Sequence, residues 1–524
     1  EGNGFPGDPA NTESDTFRFS TSLQGVTDTG FWEVSYTRAV NDFVFRVPDV
    51  LNTEFQLALY GLGGSNCDPI AGTPGVGDCE FFNPFATSYT TAPNSDYVVS
   101  SFTGTEVIDS KADLEVFEAI TSFDVFEMGG GFAALALGVQ YRENQLSQDY
   151  DDLANQDSFT FVIGNPDIDG SQDVWAAFGE LALPINDELD VQLAVRYEDY
   201  GGTIGSTVDP KLAISWRATD EFSLRGSIST SFRAPTVFLA QGGATSLQQL
   251  IDPVQGATAF VAVRTSGNEE LKPEESTAYN IGFSYEPFRD FSVEVDYWNF
   301  EFEDLIIQEN AQAVLNEDPT NPDRVIRAGD PLTGPVLQVN NTYVNASSME
   351  TSGIDFVTSY KIETDFGNFT PTLNATYITK YDLMDPQAGN IDGAGRRNFN
   401  NIGVSSPELR ANLGLAWQND IHAANIFLRY ISSYDDDQNC ADGNANVGGC
   451  SGGYYEVDSH LTVDAQYNID LGGLYDTEQS YVLTLGAINM FDEEPPQLFT
   501  NSGFDSKVHD PRGRQIYARL AIEF

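Results

Sequence analysis

The amino-acid sequence predicts an all-β fold, and within that class a transmembrane antiparallel β-barrel. Three observations predict it: apolar and polar residues alternate along most of the chain, turn-forming residues separate the alternating segments, and no apolar run reaches the roughly 18 residues that a membrane helix needs. Residues 221–235 (EFSLRGSISTSFRAP) show the alternation best, since Leu224 and Ile228 share one face and Arg225 and Arg233 the other. One face of such a strand suits lipid and the other suits a wet lumen.

The composition excludes one class of partner and suggests a habitat. The 524 residues contain 25 Lys plus Arg against 79 Asp plus Glu, a formal net charge of −54. A nucleic-acid partner requires a basic surface, so none is expected. The aromatic content of 12% argues against disorder. We interpret the acidity as a solvated surface in a salty, marine habitat, where dissolved ions screen the repulsion; the alternative is a function that attracts cations.

Segments with this alternation follow one another along the chain, and their connections are alternately short turns and long loops. Residues 235–272 (Gln/Gly-rich) and 307–341 are the clearest predicted loops. The predicted strands number 17 and lie near residues 16–23, 32–36, 114–126, 132–150, 174–183, 189–200, 211–217, 221–235, 279–285, 291–302, 354–360, 369–381, 409–417, 426–430, 461–469, 481–491 and 515–524.

The alternation also assigns faces to individual side chains. We expect an apolar set to face lipid, namely Leu193, Ile228, Leu413 and Val463, and a polar set to face the lumen, namely Arg196, Arg225, Arg410 and Asp464. Short turns belong on the periplasmic side and long loops outside, so the first predicted strand descends from the outside. Bacterial barrels begin with an ascending strand and have an even strand number, so an odd number of strands is expected to be missing.

The four cysteines form two local pairs, Cys67 with Cys79 and Cys440 with Cys450, each in a Gly/Asp/Asn-rich stretch between strands. Metal binding is the competing interpretation, but neither pair is a CxxC and no histidine lies near. Two disulfides that close short external loops in an oxidising compartment are therefore predicted.

Several motifs resemble the TonB-dependent receptor family, the 22-stranded plugged transporters of the Gram-negative outer membrane. They are SFRAP (231–235), NEELKPEES (268–276), LGVQYRE (137–143), TSGIDF (351–356), NMFDEEPP (489–496) and the closing DPRGRQIYARLAIEF (510–524). On this resemblance, residues 1–524 are expected to form strands 6 to 22 of the barrel, 17 of 22. The N-terminal plug, the TonB-contacting box and the first five strands are expected to be absent and supplied by another segment.

The resemblance implies uptake of a scarce nutrient, such as a siderophore, a vitamin or an oligosaccharide, across the outer membrane. The barrel would form the pore wall and the external binding loops. Its partners would be outer-membrane lipid, the missing plug and, through the plug, the TonB complex. No catalytic grouping or phosphate loop stands out, so no enzyme is expected. The alternatives are a passive porin-type channel and, with less support, a secreted β-rich binding protein.

Candidate binding residues follow from the lumen face and from one external loop. Arg196, Arg225, Arg233 and Arg410 are candidates for contact with an anionic ligand, the alternative being that they pair with lumen acids or with the plug. Tyr434 is a further candidate, in the loop YDDDQNC. No cofactor is expected, apart from Ca²⁺ in this external loop, because hard oxygen ligands cluster there; the alternative is a solvated acidic loop. The candidate ligands are Asp435, Asp436, Asp437 and Asp442.

Overall fold

The computed structural model describes residues 9–86, 93–160, 164–386, 389–397, 405–436, 455–475, 480–498 and 502–523. The described residues form 25 strands and six short helices, with 22 strands in one sheet and three in another. None of these helices is long and apolar enough to cross a membrane. The chain is all-β, as predicted.

Within the main sheet, long antiparallel strands pair one after another along the chain, and we call this part of the sheet the wall. Its long strands are β1 (Asn11–Val26), β2 (Gly30–Val50), β3 (Thr103–Met128), β4 (Gly131–Tyr150), β5 (Ile168–Asn186), β6 (Leu189–Asp199), β7 (Ser206–Arg217), β8 (Phe222–Arg233), β11 (Glu274–Tyr285), β12 (Phe291–Gln308), β14 (Val336–Tyr360), β16 (Gly367–Asp385), β19 (Leu409–Gln418), β20 (His422–Ile431), β23 (His460–Asp470), β24 (Ser480–Ile488) and β25 (Gln515–Glu523).

Further strands and all the helices lie in the connections. These strands are β9 (Gly243–Asp252), β10 (Ala257–Ser266), β13 (Val325–Arg327), β15 (Ile362–Thr364), β17 (Gly389–Asp392), β18 (Arg396–Arg397), β21 (Tyr434–Asp436) and β22 (Tyr455–Val457). The helices are α1 (Asn52–Leu59), α2 (Asp96–Ser100), α3 (Asp152–Asn155), α4 (Val237–Gln241), α5 (Ala311–Glu317) and α6 (Leu471–Leu474).

The predicted count of 17 strands is wrong, because segments assigned to loops also form strands. The hairpin of β9 and β10 lies within 235–272, and β13 and the start of β14 lie within 307–341. Gly- and Gln-rich composition hid the alternation there, and strands as short as β13 give no periodic signal at all. The sequence interpretation recognised strands long enough to cross a membrane and passed over those that build the external connections.

The wall exposes apolar side chains in rows along its register. Leu193 lies opposite Leu212, which lies opposite Ile228, and all three are exposed. Leu413 similarly begins a row that continues through Leu428 to Val463. Partners directly opposite each other share a face of the sheet, so these rows form one outward apolar surface. Leu193, Ile228 and Leu413, which the alternation predicts to face outward, have exposed fractions of 42%, 51% and 45%.

The connections around β9 and β10 fold into a small packed layer, here called the external layer. It comprises β9, β10, α5, β13 and the first residues of β14, and its core consists of Leu250, Val261, Val263, Ala311, Leu315, Val325, Val336 and Val339. At its edge the buried guanidinium of Arg327 donates from Nη1 and Nη2 to the carboxylate of Asp252 over 2.7 and 2.9 Å. This layer therefore has a core of its own, held by apolar packing and one buried ion pair.

The connection between β2 and β3 contains one of the two predicted disulfides. Cys67 and Cys79 form a disulfide, as predicted, and the two residues are 12 positions apart in the sequence. Beside this loop, Ala58 of α1 packs with Phe82 and Phe102 in a small buried cluster. The predicted Cys440–Cys450 pair lies outside the described residues.

Candidate functional site

A row of polar residues crosses the wall on the face opposite the exposed apolar rows; we call that face the inner wall and the row the polar belt. Strand register places its members directly opposite one another on successive strands. They are Arg225 (β8), Gly282 (β11), Asp296 (β12), Asp355 (β14), Thr376 (β16) and Arg410 (β19). The alternation predicted that Arg225 and Arg410 share a face, and the register shows that they belong to one belt.

At one end of the polar belt, two carboxylates neutralise Arg225. Its Nε donates to Asp296 Oδ1 over 2.7 Å, and its Nη2 donates to Glu294 Oε2 over 2.9 Å. The pair reaches across β11 because Gly282 stands between the two side chains: a Cβ at Gly282 would lie 2.0 Å from Asp296 Oδ1. Gly282 therefore keeps the space that the ion pair occupies. Sequence reasoning missed this role, since a single glycine in an alternating strand carries no sign of what crosses it.

At the other end of the polar belt, Arg410 stands without such a partner. Thr376, opposite Arg410 on β16, donates its hydroxyl to Asp355 Oδ1 over 2.6 Å instead. Arg410 is exposed, and it forms no ion pair with any other residue in the described part of the chain. Its guanidinium is therefore available to an anionic group that enters the space beside the inner wall.

The other two predicted arginines are occupied. Arg196 donates to Glu198, and its guanidinium carbon lies 5.3 Å from the centre of the Phe178 ring. Arg233 forms a two-point interaction with Glu274, with Nη2 donating to Oε1 over 2.6 Å. Since the carboxylate of Glu274 is buried, a ligand that drew the Arg233 guanidinium away would leave the Glu274 charge buried and unpaired. Both arginines are thus bound into the wall.

Tyr434 lies in a buried cluster and not on an open binding surface. Its hydroxyl lies 3.3 Å from Asp505 Oδ2 and 3.3 Å from His509 Nε2, and its ring stacks on that of His509 with centroids 6.1 Å apart. Burial, followed by the nearby Asp505 carboxylate, raises the pKa of Tyr434. Tyr434 is therefore neutral and holds external segments together.

The predicted calcium ligands have other roles where they are described. Asp436 is fully buried and accepts from Arg397 Nη1 over 3.0 Å, while Asp435 lies beside it in the small sheet of β18, β21 and β22. Asp437 and Asp442 lie outside the described residues. Within the part of the chain that the structure describes, no group of three or more His, Cys, Asp or Glu side chains is placed to hold a metal ion.

Comparison with known proteins places this architecture in a family. Residues 1–490 match the family model described as "TonB dependent receptor-like, beta-barrel". A curated relative from Acinetobacter baumannii, named "Probable TonB-dependent siderophore receptor PirA", is 22% identical over 402 residues. That match covers 74% of this chain and 48% of the relative, so the chain spans about half the relative's length.

Solved structures show the same fold at low sequence identity. The crystal structure of the siderophore receptor PirA from Acinetobacter baumannii superposes with a TM-score of 0.61 at 17% identity, covering 97% of this chain and 62% of that chain. A variant of the ferric enterobactin receptor PfeA from Pseudomonas aeruginosa gives a TM-score of 0.53 at 13% identity, covering 98% and 78%. At such identities these matches establish the fold and nothing finer.

These findings correct the predicted fold description. The prediction of 17 strands from a 22-stranded barrel, with the plug absent, is wrong. The described residues form 25 strands, and receptor structures superpose on 97–98% of the chain. The prediction failed because it combined the parity of membrane-crossing strands with the strand number implied by the resemblance, and neither accounts for short strands in the connections.

Proposed function

Because the chain belongs to the TonB-dependent receptor family, we propose that it serves in the energy-coupled uptake of a siderophore across the outer membrane of a Gram-negative bacterium. The family model over residues 1–490 supports TonB-dependent uptake, and the curated relative named as a siderophore receptor supports the substrate class. Outer-membrane lipid would contact the outward apolar rows, and the TonB complex would supply the energy.

The observation that carries the site proposal is the contrast between Arg410 and the three other candidate arginines. Arg196, Arg225 and Arg233 already have carboxylate partners. Siderophores bind iron through oxygen-rich groups that carry negative charge, so an exposed guanidinium on the inner wall that has no ion-pair partner among the described residues is a suitable anchor. We therefore assign Arg410 the role of holding an anionic group of the chelate by charge-assisted hydrogen bonds.

The size of the expected effect follows from the strength of such bonds. Hydrogen bonds to charged groups contribute about 1.5–3 kcal/mol, which corresponds to roughly 10- to 100-fold in affinity. Arg410→Gln should weaken binding of the ferric siderophore by about that factor, while the wall folds normally because Arg410 has no ion pair to lose within the described part of the chain. Arg410→Lys should recover part of the affinity, since it restores the charge but not the planar fork.

The experiment measures uptake of iron-55 carried by a panel of siderophores into cells that produce the full-length receptor, with and without a functional TonB. The matched control is Arg289→Gln, which removes the same charge from an exposed side chain in the turn between β11 and β12. Uptake that persists without TonB would contradict the transport proposal and favour a passive channel. TonB-dependent uptake that Arg410→Gln leaves unchanged would contradict only the role of Arg410.

A further inference from the structure

Two of the three histidines meet in a buried cluster at the external end of the wall. His460 begins β23, and His509 lies in the connection between β24 and β25, 49 residues along the chain. Their Nδ1 atoms are 3.2 Å apart, and the two side chains are only 7% and 4% exposed. The Nε2 atom of His460 is buried without a hydrogen-bond partner in the described structure. Two rings in this position cannot both carry a proton on Nδ1, because the two N–H groups would then face each other.

Only one arrangement of protons leaves no buried donor of the cluster without an acceptor. His460 donates Nδ1–H to His509 Nδ1, His509 donates Nε2–H to the hydroxyl of Tyr434, and Tyr434 donates to Asp505 Oδ2. Ser405 donates to the same carboxylate oxygen. The chain of donors thus ends on an anion, and the unpartnered Nε2 of His460 carries no proton. A further proton breaks this chain of hydrogen bonds. On His460 it would be a buried Nε2–H without an acceptor, and on His509 it would be an Nδ1–H that faces the Nδ1–H of His460.

The cluster joins three parts of the external surface. Tyr434 belongs to β21, His460 to β23, and Asp505 and His509 to the described residues 489–498 and 502–514, which we call the last external segment. Apolar contacts support the junction, since Leu498 of that segment packs with Tyr434 and Val457. The histidine chain is therefore the polar half of the contact that seats the last external segment on β21 and β23.

The charged groups around the histidines come from every element of the cluster. Glu493 and Asp505 favour the charged forms of His460 and His509 respectively, whereas Arg410 opposes that of His509. Arg397 and Asp436 also face Tyr434, and Asp464 lies on β23 four residues after His460. Burial dominates over all of them: it lowers the pKa of His460, and burial together with repulsion from His460 lowers the pKa of His509 to about 4.

We propose that His460, His509, Tyr434 and Asp505 form an acid-sensitive latch, which seats the last external segment at neutral pH and releases it when the histidines take up protons. Both histidines are neutral in the closed state. The open state regains an ordinary histidine pKa near 6.5 and binds protons that the closed state excludes. Closure is therefore fully stable above about pH 7 and weakens as pH falls below 6.5.

The expected magnitude follows from the same linkage. Between pH 7.5 and 5.0, one histidine that titrates near 6.5 only in the open state raises the opening equilibrium by about 30-fold, and a second histidine multiplies that factor. The experiment is hydrogen–deuterium exchange of the full-length receptor at pH 7.5 and 5.0, compared at equal chemical exchange. Peptides that cover residues 502–511 and 434–436 should open at least about 30-fold more at pH 5.0, while peptides of β6 to β8 stay protected.

The control variant uses the remaining histidine. His422 lies at the other end of the wall, with its Nδ1 atom 2.6 Å from the Tyr467 hydroxyl. It is therefore outside the cluster, and His422→Asn should keep the full acid response. The double variant His460→Asn, His509→Gln should lose it and show the same exchange at both pH values. Acid-independent exchange of the last external segment in the natural chain would overturn the latch, without need of any variant. An acid response that survives in the double variant would also overturn it, because another group would then be responsible.

Discussion

The wall and the external layer use the same alternation of residues for opposite purposes. In the wall, the apolar members of each strand point outward, and Ile228 and Leu413 remain about half exposed. In the external layer, Val261 and Val263 occupy alternate positions of β10 in the same way, yet they are 1% and 0% exposed because α5 and β14 cover them. Alternation therefore defines two faces but does not tell which solvent each face meets.

The difference teaches what stabilises each region. In the proposed outer-membrane setting, a wall strand keeps its place through the ladder of hydrogen bonds and through the lipid that its apolar face meets, so each outward side chain acts nearly independently. The external layer depends on close packing around a few buried groups, so its residues act together. Substitutions should consequently be local and additive in the wall, and collective in the external layer.

The largest effect is expected for Asp252→Ala in the external layer. Arg327 would then be a fully buried cation whose remaining acceptors are the backbone oxygens of Pro319 and Gly334. Breaking one side of a buried pair costs about 3–5 kcal/mol. Hydrogen exchange should show β9 and β10 unprotected while β8 stays protected. The double variant Asp252→Ala, Arg327→Met should recover most of the loss, and equal damage in β8 would contradict the independence of the two regions.

A smaller effect is expected for Leu413→Arg in the wall. A charged side chain on the lipid face near mid-membrane costs about 2–4 kcal/mol. The matched control is Asn412→Arg, one residue away on the inner wall, which should cost less than about 1 kcal/mol. Urea unfolding in lipid vesicles measures both. Equal costs for the two variants would mean that neither face of β19 is in contact with lipid.

The sequence predicted the two faces of the wall strands better than the contacts between side chains of different strands. Alternation sufficed to place Leu193, Ile228 and Leu413 on the face opposite the polar belt, since a face follows from position within one strand. It could not pair Arg225 with Asp296, because that contact depends on a register between strands 71 residues apart and on the small size of Gly282. The meeting of His460 and His509 was beyond reach for the same reason, whereas Cys67 and Cys79 are near enough in sequence to be paired correctly.

The smallest effect concerns Glu106, close to the external end of β3. Its side chain is 1% exposed, and neither carboxylate oxygen has a hydrogen-bond partner in the described structure. Burial, and then repulsion from Asp151 and Asp49, raises its pKa to about 7 from a model-peptide value of 4.5. The folded chain thus keeps a proton that the unfolded chain releases, so stability around Glu106 is greatest below about pH 4.5 and declines as pH rises to 7.

Glu106→Gln should remove that decline, because an amide is neutral at every pH. At pH 8 we expect the variant to be more stable by about 1–2 kcal/mol, the gain from removing a buried charge less the cost of burying an amide. At pH 4.5 the advantage should vanish. Local opening of residues 103–110, measured by hydrogen exchange at both pH values, checks this, with the exposed Glu127→Gln at the other end of β3 as the control. A variant that is less stable at pH 8 would show that the Glu106 carboxylate is charged and bound to a cation, and that this end of the wall depends on a buried charge, as the external layer does.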